Sequence, residues 1–235
     1  MERSELINFS SLLFIYLWRN FSPIMKLNTT NIFALLVLLI GIGCGQAEPG
    51  ASGSADSIAV EASDDIKTAI EGRLDEYLEK TNSKEWDASF NYLHPTIFDI
   101  APRAEMVAAF EQMDKSGFNI LVGSADITDF EKVVTWENTS YSQFTYNCDM
   151  KINLSGEQFA DPMMIELMNT QMRSQYGEEK VTYDSTTQTF DVDAIRTVWA
   201  ITGPDSKWYF VEETPQLDMV LDQIVPDTVQ VLLGL

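Results

Sequence analysis

The chain has 235 residues, enough for one domain with extensions, and 45% of them are hydrophobic, enough for a core. Its formal charge is −21, with 36 acidic and 15 basic residues. That balance excludes a phosphate-binding face for nucleic acid and a basic membrane-surface patch, both of which need clustered Lys and Arg. Cys44 and Cys148 are the only cysteines, too few for a disulfide framework or a zinc pattern.

The first element is apolar. From Met25 the chain reads MKLNTTNIFALLVLLIGIGCGQ. Lys26 gives a short positive start, and Ile32 to Ile42 has the length of a signal-peptide core, shorter than a membrane span of about 20 residues. Small residues then lead into Cys44. Upstream, residues 1–24 hold a second apolar run, Leu12 to Trp18, which is too short to span. A start at Met25, with 1–24 as an upstream extension, accounts for it; a hairpin of two spans is the alternative. Residues 45–57, GQAEPGASGSADS, are small and polar and cannot bury a core, so 44–60 is expected to be a flexible linker ahead of a domain over 61–235.

Within the domain, Ile66, Ile70, Leu74, Tyr77 and Leu78 recur at helical spacing, behind Ser63 and the acidic pair Asp64 and Asp65. SKEWDASFNYLHP predicts a second helix, capped by Ser83, with Trp86, Phe90 and Leu93 on one face, and Pro95 stops it. A third helix is expected near 102–113, with Pro102 in its first turn, Met106, Phe110 and Met113 on one face, and Gly117 at its end. The period then changes. Turn signals lie at 124–129 and 137–140, and in YSQFTYNCDMKINL the residues Phe144, Tyr146, Cys148, Met150 and Ile152 alternate with polar ones, which predicts a long strand with one dry face.

Asp161, Pro162 and Gly177 frame a helix whose face carries Met164, Ile165, Met168, Met172 and Tyr176, read either as core or as an adaptable contact surface. TQTFDVDAIRTVWAIT predicts a second long strand, GPDS a turn and KWYFVEE the returning strand. The tail from 217 reads as one or two short helices broken near Pro226.

Two resemblances follow from these stretches. The 25–44 segment resembles a bacterial lipoprotein signal, with Gly43 at the small position before the cysteine and Gly41 departing from the usual aliphatic residue. That resemblance implies a signal peptide over 25–43, lipid attachment at Cys44, and a membrane-anchored place in the cell envelope, on the periplasmic or outer-membrane face. Helices followed by long antiparallel strands is an α+β order. The opening helix, WDASFNYLHPTIFD with RAEMVAAFEQM, and RTVWAITGPDSKWYFVEE together resemble the NTF2-like superfamily, also called SnoaL-like or ketosteroid-isomerase-like, over roughly residues 62–215. The helix at 161–177 and the tail depart from it. The resemblance implies a curved antiparallel sheet wrapped on the first helix as a cone, with a pocket at its mouth.

Candidate chemistry is sparse. His94, the only histidine, precedes Pro95 at a helix end and reads as structural rather than as a base; alone it builds no metal site. Cys148 reads as a buried, inert thiol. Asp99 and Asp191 or Asp193 are the carboxylates expected near a cone mouth, without a donor that can be paired to them. No GxSxG, HExxH or Gly-rich phosphate loop occurs. No catalytic residue, metal ligand or cofactor is therefore assigned, and the ligand-binding residues stay open. The expected function is non-catalytic binding of a small apolar ligand or a protein partner by an envelope-anchored domain. The alternatives are an isomerase or hydrolase acting in the pocket, and a structural envelope scaffold in which the Met-rich helix of 161–177 makes an oligomer contact; a homodimer is among the partners expected.

Overall fold

The computed structural model describes residues 63–130, 132–214 and 217–235, and the backbone of 58–60. The expected extension, signal peptide and Cys44, together with the linker up to Ser57, lie outside the described residues. Among the described residues the architecture is α+β: an eight-stranded antiparallel sheet with several helices.

Two long strands organise the sheet. β5 (Thr139–Leu154) and β7 (Thr189–Thr202) pair antiparallel from Tyr141↔Ile201 to Asn153↔Thr189. β2 (Phe118–Val122), β3 (Asp126–Phe130) and β4 (Val133–Trp136) follow one another along the free side of β5. β6 (Val181–Asp184) and β8 (Trp208–Glu212) lie along the free side of β7, at opposite ends of it. β1 (Ile58–Val60) pairs with Val133–Thr135 and extends the sheet ahead of the expected domain start at 61.

The sequence places the helices by the expected local rules. α1 (Asp64–Asn82) begins at Ser63, whose hydroxyl accepts the Ile66 N–H, and buries Ile70, Leu74 and Leu78. At its far end the Asn82 amide bonds both backbone groups of Val122, which fixes α1 against β2. α4 (Pro162–Tyr176) starts at Asp161, whose carboxylate accepts the Met163 N–H at 2.9 Å. It ends at Gly177 with φ of 105°, a conformation that suits glycine. α5 (Asp218–Ile224) and α6 (Asp227–Leu233) are the two expected tail helices, separated at Pro226.

Several elements differ from expectation. The predicted second helix is only α2 (Trp86–Ser89) followed by 3₁₀ turns at Phe90–Tyr92 and Pro95–Asp99. Ser83 is not its cap but the C-cap of α1. Leu93 is extended because it bridges to Phe210, and the His94 N–H bonds the Phe210 carbonyl, so the sheet takes over backbone groups that a helix would have used. α3 (Arg103–Lys115) is capped by Pro102 rather than containing it. Residues 126–129, read as part of a turn, belong to β3; a register shift at Thr128 breaks the alternation that would have marked a strand. The 137–140 turn is a two-residue hairpin loop, with Glu137 and Asn138 both at positive φ, as the right-handed twist of paired strands favours.

Buried side chains form two clusters. On the inner face of the sheet, Phe144, Tyr146, Cys148, Met150, Ile152, Phe190, Val192, Ala194 and Val198 pack against α1 and against Met164, Met168, Met172 and Tyr176 of α4. The Met stripe of α4 is therefore core. The second cluster joins Trp86, Phe90 and Phe110 of the α2–α3 region with Trp199, Ile201 and Val211 and with the tail helices. Trp199 and Val211 point away from the inner face, so the tail covers one end of the outer face.

Candidate functional site: an inner cavity floored by an ion pair

Where the two clusters meet, the packing leaves a partly enclosed cavity of about 90 Å³. Its wall is largely apolar, with Leu74, Leu78, Phe90, Phe110, Val198 and Phe210 contributing from α1, the α2–α3 region and the sheet. Its polar groups are Arg196, Glu212, Tyr77, Tyr146, Thr81, Ser89 and Cys148. A second depression of about 510 Å³, around Ser116, Asn119 and Gln158, is an open polar surface without an enclosing wall.

The strand period puts the charges in the cavity. Along β7 the inward register runs Phe190, Val192, Ala194, Arg196, Val198; along β8 it runs Trp208, Phe210, Glu212. Arg196 stands directly across from Tyr146 and forms an ion pair with Glu212. The Arg196 side chain is 6% exposed and that of Glu212 is 22%. The guanidinium also donates to the Tyr176 hydroxyl at 3.1 Å and touches the Met150 sulfur at 3.9 Å, so α4 braces it from the far side.

Burial sets the protonation of the group. It is the largest single effect on Arg196 and works against its charge, yet Glu212, Tyr176 and Tyr146 together outweigh it and hold the guanidinium protonated. Burial pushes the Glu212 carboxyl up, and Arg196 pulls it partly back. Tyr77 is raised to about 12, by burial first and by Glu212 second. Tyr146 and Tyr176 are raised by burial as well. Cys148 is raised by burial despite nearby Arg196, so it stays a thiol. At neutral pH the floor is thus one compensated ion pair among neutral hydroxyl donors. Such a floor can orient a polar group; its one candidate for general acid or base work is Glu212.

The expected site residues fall elsewhere. Asp191 and Asp193 occupy the outward register of β7, where Asp191 pairs with exposed Lys151 and Asp193 stands opposite Asp149. Asp99 is exposed on the 3₁₀ turn. None of the three lines the cavity. His94 accepts the Thr96 N–H on Nδ1, and burial lowers its pKa, which suits a neutral structural imidazole. Cys148 is buried and free. Sequence reasoning misses Arg196 and Glu212, although each is a charge on the dry register of an alternating strand, which is the signal that reveals them. Among the described residues no group of three His, Cys, Asp or Glu is placed to hold a metal, and no helix is long and apolar enough to cross a membrane.

Compared with known protein families and with curated proteins, the chain matches none. Among solved structures it is similar to a crystal structure from Xanthomonas campestris pv. campestris, provisionally assigned as a polyketide cyclase. The two are 14% identical, over 65% of this chain and 95% of that one, with a TM-score of 0.31.

Proposed function

We propose that this is an envelope protein tethered by a lipid at Cys44, whose folded part is an NTF2-like domain that binds a small, mainly apolar molecule in the inner cavity. The observation that carries the binding reading is the cavity itself: an apolar wall closed on several sides, with convergent polar groups at one place. The NTF2-like reading is supported by the packing of α1 on the inner face of a sheet built on two long strands, with α2 and α3 closing one side. The anchor is supported by the apolar run, the small residues and the cysteine of 32–44, followed by a polar tether.

Two experiments test this. Cys44→Ala is expected to end fatty-acid labelling and release the chain from membranes; unchanged membrane association refutes the anchor. Cys148→Leu is expected to fill the cavity, abolishing binding of small organic probes seen by ligand-observed NMR while the fold is kept. Probe binding that survives it places the ligand elsewhere.

One observation favours a second reading, an isomerase or hydrolase acting in the same cavity: Glu212 is a carboxylate whose pKa is raised by burial, with Tyr146 as a neutral donor nearby. In that case Glu212→Gln abolishes turnover while probe binding persists.

A further inference from the structure

Resting on the reading of the inner cavity as a binding site, we infer that the ligand is small and presents a neutral polar end, an amide, carbonyl or hydroxyl, and that carboxylates and amines are rejected. The ground is the charge balance of the floor. Arg196 alone would make the cavity an anion site, since a guanidinium is a strong carboxylate binder. Here its charge is already taken by Glu212, which faces the same cavity.

A carboxylate entering beside Arg196 would place a second negative charge against Glu212 in a largely apolar wall, where charges are poorly screened. An ammonium would meet the carboxylate but also the guanidinium, with the same conflict in the other sign. A neutral group has no such conflict. It can accept from a phenol or from the guanidinium and donate to the carboxylate without changing the net charge. Tyr146, opposite Arg196 on the neighbouring strand, and Tyr77 on α1 both stay protonated and can serve as donors.

Volume limits the body of the ligand. About 90 Å³ is well below the roughly 300 Å³ of ordinary ligand pockets and below the roughly 150 Å³ of an apolar cavity that takes benzene. The occupant is therefore a branched aliphatic fragment of a few carbons with its polar end, or the tip of a longer molecule.

The test is a set of probes with a shared branched body and different ends: isobutyramide, isobutyrate and isobutylamine, titrated against the full-length chain at neutral pH by ligand-observed NMR. Isobutyramide is expected to bind, with isobutyrate and isobutylamine at least tenfold weaker. Binding of either charged probe as tightly as the amide overturns the inference and leaves the cavity a binding site. If none of the three binds, the binding reading itself falls, and this one with it. Glu212→Gln frees Arg196 and is expected to shift preference to isobutyrate by tenfold or more; an unchanged order overturns the inference. Should that variant not fold, the double variant Arg196→Met, Glu212→Leu carries no buried charge. There the amide is expected to lose at least tenfold in affinity, and amide binding at the native level overturns the inference.

Discussion

The two faces of the β5–β7 pair are made by the same strands and solve opposite problems. Outward, cross-strand partners are Thr145 with Thr197, Asp149 with Asp193, and Lys151 with Asp191, all in reach of water. There a like-charge pair is tolerated because solvent and salt screen it. Inward, one residue along, the partners are Phe144 with Val198, Tyr146 with Arg196, and Cys148 with Ala194. There a single charge requires an ion-pair partner, a tyrosine hydroxyl and a sulfur contact before it is accommodated. Charge on the outer face is nearly free to vary, whereas on the inner face it is a commitment of the fold.

The largest effect expected from breaking this contrast is Arg196→Met. It leaves Glu212 buried without its partner and should cost about 3–5 kcal/mol in urea unfolding. The double variant Arg196→Met, Glu212→Leu should recover most of that loss, because well-packed apolar residues often replace a buried pair at little cost. Equal losses in the single and double variants would mean that the stabilisation comes from packing around Arg196 rather than from charge compensation. Lys151→Ala, which removes the outer ion pair, should by contrast be indistinguishable from the native chain in the same measurement, since exposed pairs add little.

Much of this contrast is legible in the sequence. Alternation in 141–154 and 189–202 assigns every side chain of both long strands to its face, and the positions of Arg196 and Glu212 follow from the same rule. What alternation does not contain is which strand neighbours which. The meeting of Arg196 with Glu212, and of both with Tyr176 from α4, depends on pairings set by the whole sheet. Short elements are also hard to read. β3 carries a register shift at Thr128, and β6 is only four residues long, so neither shows a sustained alternation. The 3₁₀ turns after Ser89 have apolar spacing that suits a helix, and only the competition from Phe210 for the backbone of Leu93 and His94 shows why it stops. Asp191 and Asp193, expected near a pocket, are on the outward register by the same alternation that buries Val192.

A smaller effect sharpens the outer side. Asp193→Lys converts the Asp149–Asp193 pair into opposite charges across the non-covered face and should stabilise the domain by about 0.2–1 kcal/mol at low ionic strength. The gain should shrink as salt is added, because both positions are exposed. A gain that is independent of salt would point to altered packing and remove the argument from screening.

The smallest effect distinguishes the two environments by the sign of their pH response. Glu212 has its carboxyl raised above 4.5 by burial, so the folded chain holds that proton more tightly than the unfolded one. Its contribution is present below about 4.5 and is lost as pH rises through the raised value; relative to the double variant, the native chain should lose stability from pH 4.5 toward neutrality. Asp184, at the surface turn between β6 and β7, does the reverse. Its carboxylate accepts from the Thr186 hydroxyl and N–H and from the Thr187 hydroxyl, which lowers its pKa from 3.8 to about 2. That contribution is present above 3.8 and lost as pH falls toward 2, so the thermal midpoints of the native chain and Asp184→Ala should differ above pH 4 and converge near pH 2. Curves that stay parallel across this range would mean the turn is held by its backbone alone, and that a solvated carboxylate on this sheet contributes nothing even where three donors converge on it.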